Sequence, residues 1–142
     1  MEQFITFASN NGVLSAVWVA IVVMILVTTI KISLSPIKQI SSQELTFLMN
    51  KEEGIALDMR SEKEFNMGHI LDAVNLTNDK ITKNGFVSLE KHKENPIIVV
   101  CSAGLSASKV ANDLHKAGFA RVSILKGGMG AWTGAGLPVT KK

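Results

Sequence analysis

Cysteine occurs once in the 142 residues, so the chain can close no internal disulfide. Lysine and arginine are missing from the first 30 residues, although the chain carries 15 of them. A secretory signal peptide needs a basic stretch ahead of its apolar run, and the only ionisable side chain there is Glu2. Charge of either sign is absent from Gly12 to Ile30. No arginine lies between Cys101 and Gly118. A cysteine loop acting on phosphate esters wants an arginine to fork two phosphate oxygens, and the position six after Cys101 is Ala107, so phosphatase chemistry is a poor fit. Proline is confined to positions 36, 96 and 138, where the pattern of the chain changes. There is no internal repeat and no low-complexity segment.

What is present centres on residues 97–118. Four β-branched residues, Ile97 to Val100, run into Cys101 from the breaker at Pro96. A short apolar run of this kind reads as a strand buried on both faces of a sheet. Ala107, Val110, Ala111, Leu114 and Ala117 then recur at the spacing of one helix face, with Gly118 as its C-terminal cap and Ser106 as its N-cap. Cys101 thus sits where a buried strand ends and a loop of small residues opens a helix. Unpaired amide groups and the positive end of the helix macrodipole collect there, and Gly104 can take the positive φ that such a cradle needs. A sulfur at its centre is expected to ionise below the ordinary thiol value and to act as a nucleophile.

The 19 residues from Gly12 to Ile30 would span roughly 28 Å as a helix, close to the hydrocarbon thickness of a bilayer. They are apolar all round, unlike an amphipathic core helix, and no convincing cleavage site comes after them. The expectation is a retained single-pass anchor in the inner (cytoplasmic) membrane. With every lysine and arginine on its carboxyl side, the positive-inside rule places the rest of the chain in the cytoplasm. Residues 1–32 are read as the anchoring segment, 33–37 as a linker and 38–142 as one folded domain. Even fully extended, Lys31 to Pro36 reach only roughly 20 Å, which keeps the domain at the lipid surface. The pI near 9.1 comes from interleaved acids and bases; it suits weak attraction to anionic lipid and does not make a nucleic-acid footprint.

Along the domain, strand and helix signals alternate. Ile37–Ile40, Gly54–Asp58, Ala73–Leu76, Ile97–Val100 and Val122–Leu125 read as strands. Ser41 to Glu44 and Ser61 to Glu64 have the spacing of capping boxes, the first ahead of an apolar face of Leu45, Leu48 and Met49, the second opening a short helix that stops at Gly68. Thr77 to Glu94 is polar enough for small helices and turns over a sheet edge. Gly127 and Gly128 form a turn, Trp132 anchors a short helix, and Pro138 ends the ordered part. Strands alternating with helices predict an α/β fold, a parallel sheet flanked on both faces.

Asp58-x-Arg60 after a strand, Glu64-Phe65 leading to Gly68-His69-Ile70, Ala73 to Asn75, the strand ending in Cys101-Ser-Ala-Gly-Leu-Ser106, and Gly127-Gly128 with Trp132 occur in that order. Together they resemble a rhodanese (sulfurtransferase) domain over about residues 38 to 138. The resemblance implies a five-stranded parallel sheet with helices on both sides and the cysteine loop at its carboxyl edge. It also implies transfer of sulfane sulfur from thiosulfate, a polysulfide or a persulfide to a thiol acceptor. Cys101 would carry the sulfur as a persulfide, bound by the backbone of Ser102, Ala103, Gly104, Leu105, Ser106 and Ala107, with the Ser102 and Ser106 hydroxyls as further donors where Ser106 is not taken up as the N-cap. No cofactor and no metal is implied. Besides a small donor and a thiol acceptor, the bilayer and another membrane protein are the expected partners. Active members of that family often carry a base inside the loop, where Ser102, Ala103 and Leu105 are uncharged here; Lys109 and Lys126 are the nearest bases in sequence. A membrane-tethered module that uses the same fold only for binding is the alternative reading.

The other marked residues read as structural. Asp58 and Arg60 look like a supporting pair near the site, with Arg60 expected to bond an acid such as Glu64. His69 has no second ligand at metal spacing, and His92 and His115 sit in charged, solvated surroundings.

Overall fold

The structure, a computed structural model, describes residues 11–33 and 37–142. It divides into an amino-terminal unit ending at Pro36 and a domain from Ile37 to Lys142. Residues 34–36 of the expected linker, and everything before residue 11, lie outside the described residues.

In the first unit, α1 runs from Gly12 to Ser33. Its apolar stretch Gly12–Ile30 is long enough to cross a membrane, and none of it is buried by protein. Val13 is 81% exposed and Trp18 69%. The two threonine hydroxyls in the stretch turn back onto its own backbone: Thr28 donates to the carbonyls of Met24 and Ile25, and Thr29 to that of Ile25. Each of these hydroxyls is thereby satisfied inside the helix, which is the condition for placing it in lipid.

In the second unit the elements are β1 (Lys38–Ile40), α2 (Ser42–Lys51), β2 (Ile55–Asp58), α3 (Glu62–Met67), β3 (Val74–Asn75), α4 (Asn78–Asn84), a 3-10 segment (Val87–His92), β4 (Ile97–Val100), α5 (Ala107–Lys116), β5 (Val122–Leu125) and α6 (Gly128–Gly134). The strands form one five-stranded parallel sheet in the order β1-β5-β4-β2-β3. All four residues of β4 are fully buried, because the strand is central and covered on both faces. Its alternate side chains divide between two cores. Ile97 and Val99 pack with Val110, Ala111 and Leu114 of α5 and with Phe119, whereas Ile98 and Val100 pack with Leu45 of α2 and Met129 and Trp132 of α6. Each such burial contributes about 1.5–3 kcal/mol, so the strand that delivers Cys101 is among the most firmly held parts of the domain.

The helix starts at Ser41 and Ser61 follow the capping signals with one difference. At Ser61 the box is complete: the Ser61 hydroxyl caps the Glu64 amide, and the Glu64 carboxylate returns to the Ser61 amide. At Ser41 only the first half forms, with the Glu44 amide bonded to the Ser41 oxygen at 3.2 Å. The chain also stays ordered past Pro138. Thr140 forms an antiparallel bridge with His69, and the Pro138 carbonyl accepts from the Trp132 indole at 2.9 Å. The expectation that order ends at Pro138 is therefore corrected: the indole and the His69 backbone give the tail hydrogen-bond partners.

Candidate active site

Three segments meet at the carboxyl edge of the central strands: the Cys101 loop from β4, the Asp58–Arg60 turn from β2, and the Gly127–Gly128 turn that opens α6. Cys101 is only 3% exposed, and its Sγ accepts the Gly104 amide at 2.8 Å. Burial pushes the thiol up, but the Ser106 hydroxyl and the amides of Ser106, Gly104 and Ala103 together outweigh it. The thiol accordingly lies below its ordinary value. Ser106 is at the N-cap of α5, as its position suggested, but its side chain makes no capping bond to the helix. Its hydroxyl acts on the sulfur instead, so of the two roles open to it the capping bond is the one not made.

The loop from Ser102 to Ser106 lies outward, with Gly104 half-buried and Leu105 88% exposed at its crest. Ala107 turns inward and is fully buried, backbone included. The loop rests on α6. The Met129 amide donates to the Cys101 carbonyl at 2.8 Å, and the Gly130 amide to that of Ser102 at 3.0 Å. Gly128 holds φ at +58, and a Cβ there would stand 2.1 Å from the Cys101 carbonyl oxygen. The two glycines read as a turn are thus the floor of the cysteine loop.

Asp58 is buried and bonds Arg60 through its backbone amide, Nε and Nη2, the last at 2.7 Å. Arg60 Nη2 also donates to the Gly68 carbonyl. Arg60 therefore pairs with Asp58, the supporting pair read from the sequence, while the Glu64 carboxylate expected beside it bonds Ser61 and Ser102 instead. The Asp58 carboxylate at the end of β2 accepts both the amide and the guanidinium of the same turn. The Asn75 side-chain amide fixes that turn by donating to the carbonyls of Asp58 and Arg60.

Glu64 has a place that the sequence did not suggest. One carboxylate oxygen accepts from the Ser61 hydroxyl at 2.7 Å, and the other from the Ser102 hydroxyl at 3.3 Å. The hydrogen bonds from the Ser61 side chain and backbone, with a smaller one from Ser102 and the nearby Arg60 charge, hold Glu64 below the usual carboxylate range. Beside it opens a groove of about 390 Å³ lined by Arg60, Glu64, Met67, Ser102, Met129 and Val139 among others. Lys109 and Lys126 are exposed and do not line it. His69 is buried, stacked on Phe65 at 3.7 Å, with Nδ1 2.8 Å from the Phe65 carbonyl. Among the described residues no three His, Cys, Asp or Glu side chains gather as a metal site.

Comparison with known proteins places this geometry. The family model for the rhodanese-like domain matches residues 41–135. The uncharacterized protein YibN of Escherichia coli is 40% identical over 141 residues, 99% of each chain. The thiosulfate sulfurtransferase GlpE of Actinobacillus pleuropneumoniae is 34% identical over 101 residues, covering 71% of this chain and 91% of its own. A crystal structure of a rhodanese-related protein from Thermoplasma volcanium superposes with a TM-score of 0.65 at 21% identity, over 74% of this chain and 99% of that one, and shares the fold.

Proposed function

The chain belongs to the rhodanese-like domain family, and from that membership we propose that it transfers sulfane sulfur through a persulfide on Cys101. The observation that carries this reading is the amide bonded to the Cys101 sulfur at the end of a buried strand, with its acidity raised by the loop around it. The thiolate attacks the outer sulfur of a donor, the bond between the donor's two sulfurs breaks, and sulfite or a thiolate leaves with that electron pair. An acceptor thiolate then takes the outer sulfur from Cys101 and restores the Cys101 thiolate. The amides that favour the thiolate serve the anionic persulfide in the same way, so both half-reactions use one cradle. Sulfite and thiolates leave without protonation, and no general acid is required.

The test is direct. The full-length protein exposed to thiosulfate or an organic persulfide should gain the mass of one sulfur atom, the adduct should map to Cys101, and a small thiol should remove it. An unmodified Cys101 after every donor would sink the enzyme reading. The tethered binding module would then take its place, a reading to which the cation-free loop and the bare Leu105 side chain lend support.

The proposal includes the anchor. α1 would hold the domain at the cytoplasmic face of the inner membrane, because all 15 basic residues come after its apolar stretch. A reporter that works only in the cytoplasm, fused after Lys142, should be active, and activity of an export-dependent reporter at the same place would reverse the orientation.

A further inference from the structure

Resting on the persulfide reading, we propose that Glu64 is a specificity-determining residue. Its charge turns the groove lined by Ser102, the residue after Cys101, against dianionic sulfur donors such as thiosulfate and toward the protonated persulfides of small neutral thiols. Among the described residues lining that groove, Arg60 is the only base and Glu64 the only acid. Arg60 is already engaged by buried Asp58, which returns one negative charge for its positive one. What remains uncompensated is the Glu64 carboxylate, half-buried and bonded to the residue next to the nucleophile. The Gly104 amide is already engaged by the Cys101 sulfur, at 2.8 Å. The rest of the wall carries the exposed Met67 and Val139 side chains, and its two hydroxyls are already engaged, Ser102 donating to Glu64 and Thr133 to the Met129 carbonyl.

The chemistry of the favoured donor is consistent with this setting. A persulfide RSSH is electrophilic at its outer sulfur when that sulfur carries the proton. The Cys101 thiolate attacks it, the sulfur–sulfur bond of RSSH breaks, and RS⁻ departs, giving the Cys101 persulfide with its proton. Charge is conserved, and no oxidant or reductant enters. Thiosulfate brings two negative charges to the same thiolate, past the Glu64 carboxylate.

Glu64→Gln removes the charge and keeps the shape, and glutamine can still close the box with Ser61. In the full-length protein, kcat/KM for thiosulfate should rise about tenfold, because a dianion feels twice the repulsion of a monoanion. The value for mercaptoethanol persulfide should move less than about twofold, since an uncharged donor feels no net Coulomb repulsion. Added salt should speed thiosulfate in the wild type and have less effect in the variant. A second readout needs no sulfur transfer. The ratio of Cys101 alkylation rates by iodoacetate, an anion, and iodoacetamide, which is neutral, cancels any change in thiolate fraction. That ratio should rise about threefold in Glu64→Gln. A raised ratio without persulfide from any donor would uphold the electrostatic role and overturn the sulfurtransferase reading. An unchanged ratio, or equal changes for both sulfur donors, would overturn the role of Glu64.

Discussion

Cys101→Ser is expected to lower sulfur transfer by about a thousandfold or more, to the level of the uncatalysed reaction, while leaving the fold intact. The substitution keeps an acceptor in place for the Gly104 amide, which bonds the sulfur at 2.8 Å, so the loop retains its internal hydrogen bond. What it removes is the ability to ionise near neutral pH and to hold a second sulfur. The pH dependence of the wild type has a definite sign. Since the loop amides and the Ser106 hydroxyl lower the thiol below its ordinary value, the thiolate fraction saturates early, and alkylation should level off at a lower pH than it does for a free cysteine. The same shift contributes stability that is present above the thiol value of the unfolded chain and is lost as pH falls through the folded value. Cys101→Ser should lack that contribution, so its stability advantage or deficit against the wild type should drift across this window. Transfer within tenfold of wild type by the serine variant would show that the sulfur is carried elsewhere.

Much of this arrangement is legible in the sequence because it is local. The run Ile97 to Val100, the single cysteine after it and the helix spacing from Ala107 to Leu114 lie within one strand–loop–helix unit, and the structure places them as that unit. The capping box at Ser61 is equally short-range and forms in full. The illegible parts depend on contacts that cross long stretches of chain. Glu64 meets Ser102 across 38 residues, and nothing in the spacing of the Ser61 box signals that its second carboxylate oxygen is free to do so. Ser106 offers the opposite lesson, since its N-cap position can be read but its hydroxyl has two possible partners, and the sulfur takes it. For Arg60 the pairing with Asp58 is legible, and only the further bond expected to Glu64 misleads, because the tight turn after β2 supplies a nearer acid. In that turn the Asp58 carboxylate already lies beside the Arg60 amide, at 3.0 Å.

Gly128→Ala should be the most disruptive single-methyl change in the domain, lowering stability by about 3 kcal/mol and transfer by about a hundredfold. Two effects combine at this position. The residue sits at φ +58, where an L side chain costs roughly 1–2 kcal/mol. The added Cβ would also meet the Cys101 carbonyl oxygen at 2.1 Å and the Gly104 nitrogen at 2.8 Å, both backbone atoms that cannot swing aside as a side chain would. Relief requires the cysteine loop to lift from α6, breaking the bonds from the Met129 and Gly130 amides to the Cys101 and Ser102 carbonyls. The sulfur and its amide donors would then move apart, and the thiol should titrate closer to its ordinary value. Two further glycines separate strain from collision. Gly136 also has positive φ, at +70, but open space where a Cβ would go, so Gly136→Ala should cost only the strain and spare transfer. Gly134 lies in α6 with open space beside it, and Gly134→Ala should be neutral or slightly stabilising. Thermal unfolding of the full-length protein, together with the alkylation profile of Cys101, reads all three. Equal losses for Gly128→Ala and Gly136→Ala would mean that backbone strain alone matters, and that the loop does not rest on the turn at Gly128.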